Sequence, residues 1–186
     1  MTPPQIILLA GPNGAGKSTL SRLPELAGLP FLNADDIEKD QASGPLQAGK
    51  TLLAKLDEVA SQRINFIVET TLSGKWLASH LDAFREVGYQ VHVIYVWVSN
   101  EDMSVARVAS RVAMGGHDIP EPVIRRRYKR GIRNFWRVYE PLSDTWKVYD
   151  NSNRPPVLVA SKDIGLGTVV FLPETWHVIQ EQINDG

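Results

Sequence analysis

Apolar positions along the chain fall into short continuous runs, separated by longer stretches with helical spacing. Gln5 to Ala10 (QIILLA) is almost entirely apolar, the pattern of a strand buried on both faces. Phe31 to Asp36 (FLNADD) reads as a brief strand ending in acids, and Asn65 to Glu69 (NFIVE) as a second buried strand. Gln90 to Val98 (QVHVIYVWV) gives the strongest strand signal, rich in β-branched and aromatic residues. Trp146 to Asn151 (WKVYDN) predicts another. Between these runs, a helix is expected from Lys17 to Leu23. A second covers 44–63, where Leu46, Leu52, Leu53, Leu56, Val59 and Ala60 follow mostly helical spacing. A third covers 74–88, with Gly88 as its stop, and a fourth 100–116, closed by Gly115 and Gly116. A long basic helix follows from about Pro120 to about Tyr139. After Pro155, VLVA and TVVFL around Gly165 and Gly167 suggest a hairpin, and Pro173 opens a last helix.

Strands alternating with helices imply a mostly parallel sheet covered by helices. The expectation is one α/β domain over 1–186, with about five strands and a C-terminal hairpin. A chain of 186 residues suits a single core. A net charge of −1 provides no global field to draw the chain onto nucleic acid or an anionic membrane, so neither is an expected partner. The sequence has no cysteine, which excludes disulfides, thiolate metal sites and thiol nucleophiles. The first residues carry no signal-peptide pattern and no run approaches membrane-spanning length, so the expected location is cytoplasmic.

Chemistry enters directly after the first strand. Gly11-Pro12-Asn13-Gly14-Ala15-Gly16-Lys17-Ser18 fits G-x-x-x-x-G-K-[ST] in full. The glycines let backbone N–H groups turn inward around an anion, Lys17 adds a mobile positive charge, and the Ser18 hydroxyl can ligate Mg²⁺. A strand before and a helix after supply the context the motif needs. The layout expected is therefore the three-layer sandwich of P-loop NTPases. ATP with Mg²⁺ is the expected cofactor, held by Gly11, Asn13, Gly14, Ala15, Gly16, Lys17, Ser18 and Thr19. The Asn-Lys-x-Asp of GTPases is missing, and Leu72-Ser73-Gly74 begins a transporter signature that Lys75-Trp76 ends. Small size and a late basic helix flanked by glycines fit a kinase.

A kinase needs a group to orient the acceptor hydroxyl and cations to close over the transferring phosphate. Asp35 and Asp36 follow the second strand, where ligands sit in parallel sheets; capping of a helix is the other reading of either. Glu69 leaves a buried strand beside the P-loop, placed to hold Mg²⁺ through water or to bind substrate. Arg107 and Arg111 share one helix face. In the basic helix, Ile124, Tyr128, Ile132, Phe135 and Tyr139 cluster on one side, and Arg126, Arg130, Arg133 and Arg137 lie opposite as a solvated face. Arg111 and the Arg126/Arg127 pair flank Gly115-Gly116-His117 and could form a lid. The choice among Arg107, Arg111, His117, Arg126 and Arg127 stays open. His80, His92 and His177 lack metal-ligand spacing and read as structural, and the tryptophans mostly sit at core spacing.

Taken together, LLAGPNGAGKST, LNADD, FIVETTLSG, ARVASRVAMGGHDIPEPVIRRRYKRGIRNF and VYDNS resemble the zeta-toxin family of P-loop kinases, in particular its short members, over roughly residues 5 to 152. The resemblance implies Asp35 as the base on a sugar hydroxyl, with Asp36 beside it. It places the family's strand-end glutamate and threonine at Glu69 and Thr71, and a lid arginine at Arg111. The second lid arginine falls near His117 or the Arg126/Arg127 pair. It also implies transfer to UDP-N-acetylglucosamine and restraint by a small antitoxin. One departure is visible: a further acid of the sugar pocket falls near Leu53 here, with Asp57 and Glu58 the nearest acids. A nucleoside or nucleic-acid end kinase, and a non-catalytic ATP-binding partner module, remain the alternatives.

Overall fold

The apolar runs become strands. The computed structural model describes residues 2–21, 23–33 and 45–184. In it β1 (Gln5–Ala10), β2 (Phe31–Asn33), β3 (Phe66–Thr70), β4 (Gln90–Trp97) and β5 (Thr145–Asp150) pair in parallel. Two antiparallel strands, β6 (Val157–Lys162) and β7 (Thr168–Val170), extend the sheet beyond β5, giving the order β2-β3-β1-β4-β5-β6-β7. The five parallel strands and the C-terminal hairpin are those expected.

Six helices are described: α1 (Lys17–Leu20), α2 (Pro45–Ser61), α3 (Trp76–Glu86), α4 (Glu101–Ala113), α5 (Glu121–Asn134) and α6 (Pro173–Asn184). The helix after the P-loop is shorter than its sequence predicts. Leu23 precedes Pro24 and adopts φ −59°, ψ 139°, because the proline ring disfavours helical backbone before it. The expected basic helix is regular to Asn134 and then widens into a π-helical turn over Phe135–Tyr139. Asn100 caps α4 by accepting the N–H of Met103 at 2.8 Å.

The centre of the sheet is buried on both faces, which is why β1 and β3 read as unbroken apolar runs, while β7 at the edge is exposed. One face joins Ile6, Leu8, Phe66, Val68, Val93 and Trp146 to α2 and α3 through Leu52, Leu56, Leu77 and Leu81. The other joins Ile7, Leu9, Ile67 and Val96 to Ala15, Leu20 and Leu26. The helix α5 crosses the carboxyl edge of the sheet: Tyr128 packs in the second cluster, while Ile132, Phe135 and Tyr139 pack in the first. The apolar stripe of the basic helix is thus buried, and Arg126, Arg130 and Arg137 are exposed. Trp146 stacks on Trp176 at 5.8 Å, fastening α6 to the sheet. Among the described residues, no helix is long and apolar enough to cross a membrane.

Candidate active site at the carboxyl edge of the sheet

The strand ends that matter are level with one another. Asn33 pairs in register with Glu69, Leu9 with Glu69, and Ala10 with Thr70, so the P-loop leaves β1 beside the last residues of β3. Gly11, Gly14 and Gly16 have φ of 138°, 76° and 86°. Space excludes side chains there as firmly as conformation does. A Cβ on Gly11 would strike the Val96 carbonyl, and one on Gly16 the side-chain amide of Asn151. Ala15 donates to the Pro12 carbonyl at 3.2 Å and Thr19 to the Gly16 carbonyl at 2.9 Å, which closes the loop into α1.

Lys17 is 7% exposed, and its Nζ arches back over the loop. It donates to the carbonyls of Gly11 at 2.9 Å and Pro12 at 3.2 Å and lies 3.6 Å from Glu69 Oε1. Lysine and glutamate, two sequence candidates, thus meet across the β1 and β3 ends.

Two hollows open from this pair. The larger is a groove of about 600 Å³ between Gly14, Gly16 and Ser18 on one side and Arg111 and His117 on the other. Arg111 Nη2 donates to the His117 carbonyl at 2.9 Å, so the two proposed lid residues are joined. Gly116 fits beneath Arg111, whose Cγ would lie 2.5 Å from a Cβ. Arg107 also lines the groove, but its guanidinium holds the carbonyls of Asn151 and Ser152, each at 2.8 Å. Burial and the nearby Arg154 lower its pKa, while Asp150 opposes them.

The smaller hollow, about 170 Å³, lies on the other side of Lys17 and Glu69 and includes Thr71, Ser73, Trp76 and Arg127. Arg127 Nη1 donates to Asn13 Oδ1 at 3.3 Å. Arg126, grouped with it in the sequence, is exposed and lines neither hollow. Arg125 binds Glu121, Asp102 and Glu101 on the surface, and these hydrogen bonds raise its pKa. The loop that carries Thr71 is held from α5 and from the turn that follows it. Asn134 donates to the Leu72 carbonyl at 2.8 Å and Tyr139 to the Gly74 carbonyl at 2.7 Å. Burial pushes the Tyr139 hydroxyl up to about 12, so it stays a donor. A Cβ on Gly131 would lie 2.5 Å from the Thr71 carbonyl, so the helix needs glycine where it meets the loop.

Asp35 and Asp36 lie outside the described residues. Leu53 is half-buried and packs against the core, while Leu52, 1% exposed, is the α2 residue that walls the smaller hollow. Asp57 and Glu58 are exposed and line neither hollow. His80, His92 and His177 bond to Trp76, Thr145 and Glu181, structural partners as expected. Among the described residues, no group of three His, Asp or Glu could hold a metal by itself. The exposed Ser18 and the Glu69 carboxylate line the groove together.

Sequence reasoning missed three contributors. Asn151 is 3% exposed and donates to the Ala15 carbonyl at 2.7 Å, so the end of β5 props the P-loop. Its signal was the VYDNS stretch, which carries no motif of its own. Arg154 lines the groove from a turn with no periodicity. Trp76 is 43% exposed, while the other four tryptophans are buried or half-buried, in keeping with the mostly core spacing expected.

Comparison with known proteins bears on the family and the fold. The family model of the zeta toxin matches residues 31–157. An uncharacterized protein of Haemophilus influenzae is 30% identical over 127 residues, covering 66% of this chain and 91% of that protein. The AvrRxo1-ORF1:-ORF2 crystal structure with ATP superposes with a TM-score of 0.77 at 18% identity, over 96% of this chain. This chain spans only 63% of that one. The structure from the PezAT chromosomal toxin–antitoxin system of Streptococcus pneumoniae gives a TM-score of 0.63 at 15% identity, covering 99% of this chain and 87% of that one. With the family model matched over more than half its length, the chain belongs to the zeta toxin family and has the fold of its P-loop kinases.

Proposed function

We propose that the protein transfers the γ-phosphate of ATP to a hydroxyl of a small molecule. One observation carries the reading: the groove and the smaller hollow share Lys17, Asn33 and Glu69, so a donor and an acceptor would meet at one point. A protein that only bound or hydrolysed ATP has no use for the second hollow.

In this reading the P-loop backbone and Lys17 hold the donor phosphates, and Arg111 with His117 covers them. A Mg²⁺ brought by the nucleotide would be held by Ser18 and Glu69 and would offset phosphate charge. Asp35, two residues after Asn33 in the sequence, takes the proton of the acceptor hydroxyl. The hydroxyl oxygen bonds to the γ-phosphorus as the bond to the β-phosphate oxygen breaks, and ADP leaves. Arg127, Thr71 and Ser73 orient the acceptor. A nucleotide sugar such as UDP-N-acetylglucosamine is the first acceptor to try. The replacement of the expected acid by Leu53, with Leu52 forming the wall, argues that its sugar contacts differ. A small antitoxin-like partner is proposed from the toxin–antitoxin system for which one structural neighbour is named.

The test is incubation with labelled ATP and a metabolite extract, followed by mass spectrometry. Asp35→Asn should lower transfer by about 10²–10⁴-fold with ATP binding retained. Undiminished transfer by that variant removes Asp35 from the chemistry. ATP binding without transfer to any hydroxyl would leave only the partner-module reading.

A further inference from the structure

The sheet ends on β7, and that edge is unprotected. Thr168, Val169 and Val170 are all exposed, and among the described residues no strand pairs with the outer side of β7. Exposed edges invite pairing with another chain, and proteins blunt them with lysine, proline or bulges. β7 carries none of these, and the nearest charged residues along the chain are Asp163 and Glu174. Its outer side is also ready to bond. Phe171 donates its N–H to the Val159 carbonyl at 2.8 Å, so its backbone turns toward β6. Backbone direction alternates along a strand. Val169 therefore also faces β6, while Thr168 and Val170 turn their N–H and C=O groups outward. Apolar surface gathers in the same place. Ile164, Leu166, Val169, Val170 and Phe171 are 36–63% exposed. Side chains of this size at these exposures present roughly 500 Å² of apolar surface, near the upper end of the roughly 300–600 Å² patch of a typical monomer.

We propose that β7 is the seam of a homodimer, in which two copies pair antiparallel about a two-fold axis at Val169 and their sheets become continuous. The sequence is self-complementary in that register. Thr168 of each copy meets Val170 of the other, and each such pair exchanges two backbone hydrogen bonds. Gly167 meets Phe171 of the other copy. A Cβ on Gly167 would have nothing within 4 Å, so an incoming ring has room over it. Aromatic rings over edge glycines help to pin strand register. Leu166 meets Leu172, and the stretch 166–172 holds no charged residue, so no like charges are brought together. The area is also sufficient. An interface of ordinary size takes about 800 Å² from each partner, about 65% of it apolar in homodimers, which the hairpin's roughly 500 Å² supplies. β4, β5 and β6 separate β7 from β1 and its P-loop, so the seam lies apart from the groove. The proposal therefore stands or falls independently of the kinase reading.

Sedimentation equilibrium of the full chain between about 1 and about 100 μM tests it, since interfaces of this size begin at micromolar affinity. Wild type should be dimeric at the upper end. Val169→Lys, which sets two ammonium groups side by side at the axis, should weaken the dimer by about tenfold or more. Its thermal midpoint and its ATP binding should match wild type, because Val169 is exposed and outside the groove. The chain has no cysteine, so Val169→Cys introduces a single thiol. Residues directly opposite in an antiparallel pair have Cα atoms about 4.5–5.5 Å apart, within disulfide reach. Mild oxidation should link Val169→Cys into a dimer and leave Ile164→Cys, at the hairpin tip and away from the axis, unlinked. Should Val169→Lys not fold, the two cysteine variants carry the test. A wild type that is monomeric throughout would mean that the edge is free or serves a strand of a different protein, and overturns the proposal. So does a dimer undisturbed by Val169→Lys, an assembly that grows beyond two copies, or equal cross-linking of both cysteine variants.

Discussion

The two ends of the sheet use polar residues in opposite ways. At the amino end, side chains turn onto the backbone and close it. Asn65 Oδ1 accepts the Gln5 N–H at 2.9 Å, and Asp144 Oδ2 accepts the Val91 N–H at 2.8 Å. Tyr89 donates toward the carbonyls of Val59, Ala60 and Ile64. At the carboxyl end, Lys17, Glu69, Thr71, Ser73 and Arg127 border hollows. The polar groups at the amino end thus complete the fold, whereas those at the carboxyl end divide between propping the loops, as Asn151 and Asn134 do, and bordering the hollows. In the function proposed, that division separates residues that keep the protein folded from residues that make it act.

Lys17→Ala breaks the comparison most sharply. Loss of the buried cation beside the phosphate groove should lower phosphate transfer by about 10²–10³-fold, the scale of removing one preorganised charge-stabilising donor. The thermal midpoint should move far less than the activity, since Lys17 donates to two loop carbonyls and sits beside Glu69, where no apolar core is disturbed. Steady-state kinetics and a melting curve on the same preparation check both halves. A large loss of stability would show that the carboxyl end also holds the fold together. Asp144→Ala is the converse at the other end. It leaves the N–H of Val91, a fully buried residue, without its side-chain acceptor. The expected cost is about 1–3 kcal/mol, or a midpoint drop of about 2–4 °C for each kcal/mol in a chain of this size. Activity per folded molecule should be unchanged.

The same contrast explains what the sequence made legible. The P-loop is built from backbone, so contiguous glycines announce it, and Gly11, Gly14 and Gly16 adopt the conformations the motif demands. The strands that carry it are buried on both faces and read as apolar runs. Glu69 was found because a buried run ends on it. The acceptor side is different. Its wall is assembled from Asn33, Leu52, Trp76 and Arg127, which lie on four separate elements. Nothing in local spacing tells Arg127 from Arg126; the packing of Tyr128 and Ile132 across the sheet edge decides which one faces Asn13. Asn151 shows the same limit. Its amide reaches Ala15 across 136 positions, and no periodic pattern encodes that contact.

The smallest effect sharpens the amino end further. His92 is on β4 and pairs with Thr145 of β5, with Nδ1 2.8 Å from Thr145 Oγ1 and Nε2 buried without a hydrogen-bond partner among the described residues. Burial holds its pKa below the ordinary 6.5, and the Asp144 carboxylate offsets this in part. The folded protein therefore resists protonation that the unfolded chain accepts. Above the unfolded value both states are neutral, and this residue adds no pH dependence. As the pH falls below it, the unfolded chain binds the proton first and stability declines, until the folded value is passed. His92→Gln stays neutral throughout. The stability of wild type minus variant, from urea melts, should be level above about pH 7.5 and fall toward about pH 5.5. The decline should be smaller than the Asp144→Ala cost, because partial exposure screens the imidazolium. An equal acid slope in the two proteins would mean that His92 charges freely in the fold, and that this end of the sheet is open to water where Asn65 and Asp144 suggest it is closed.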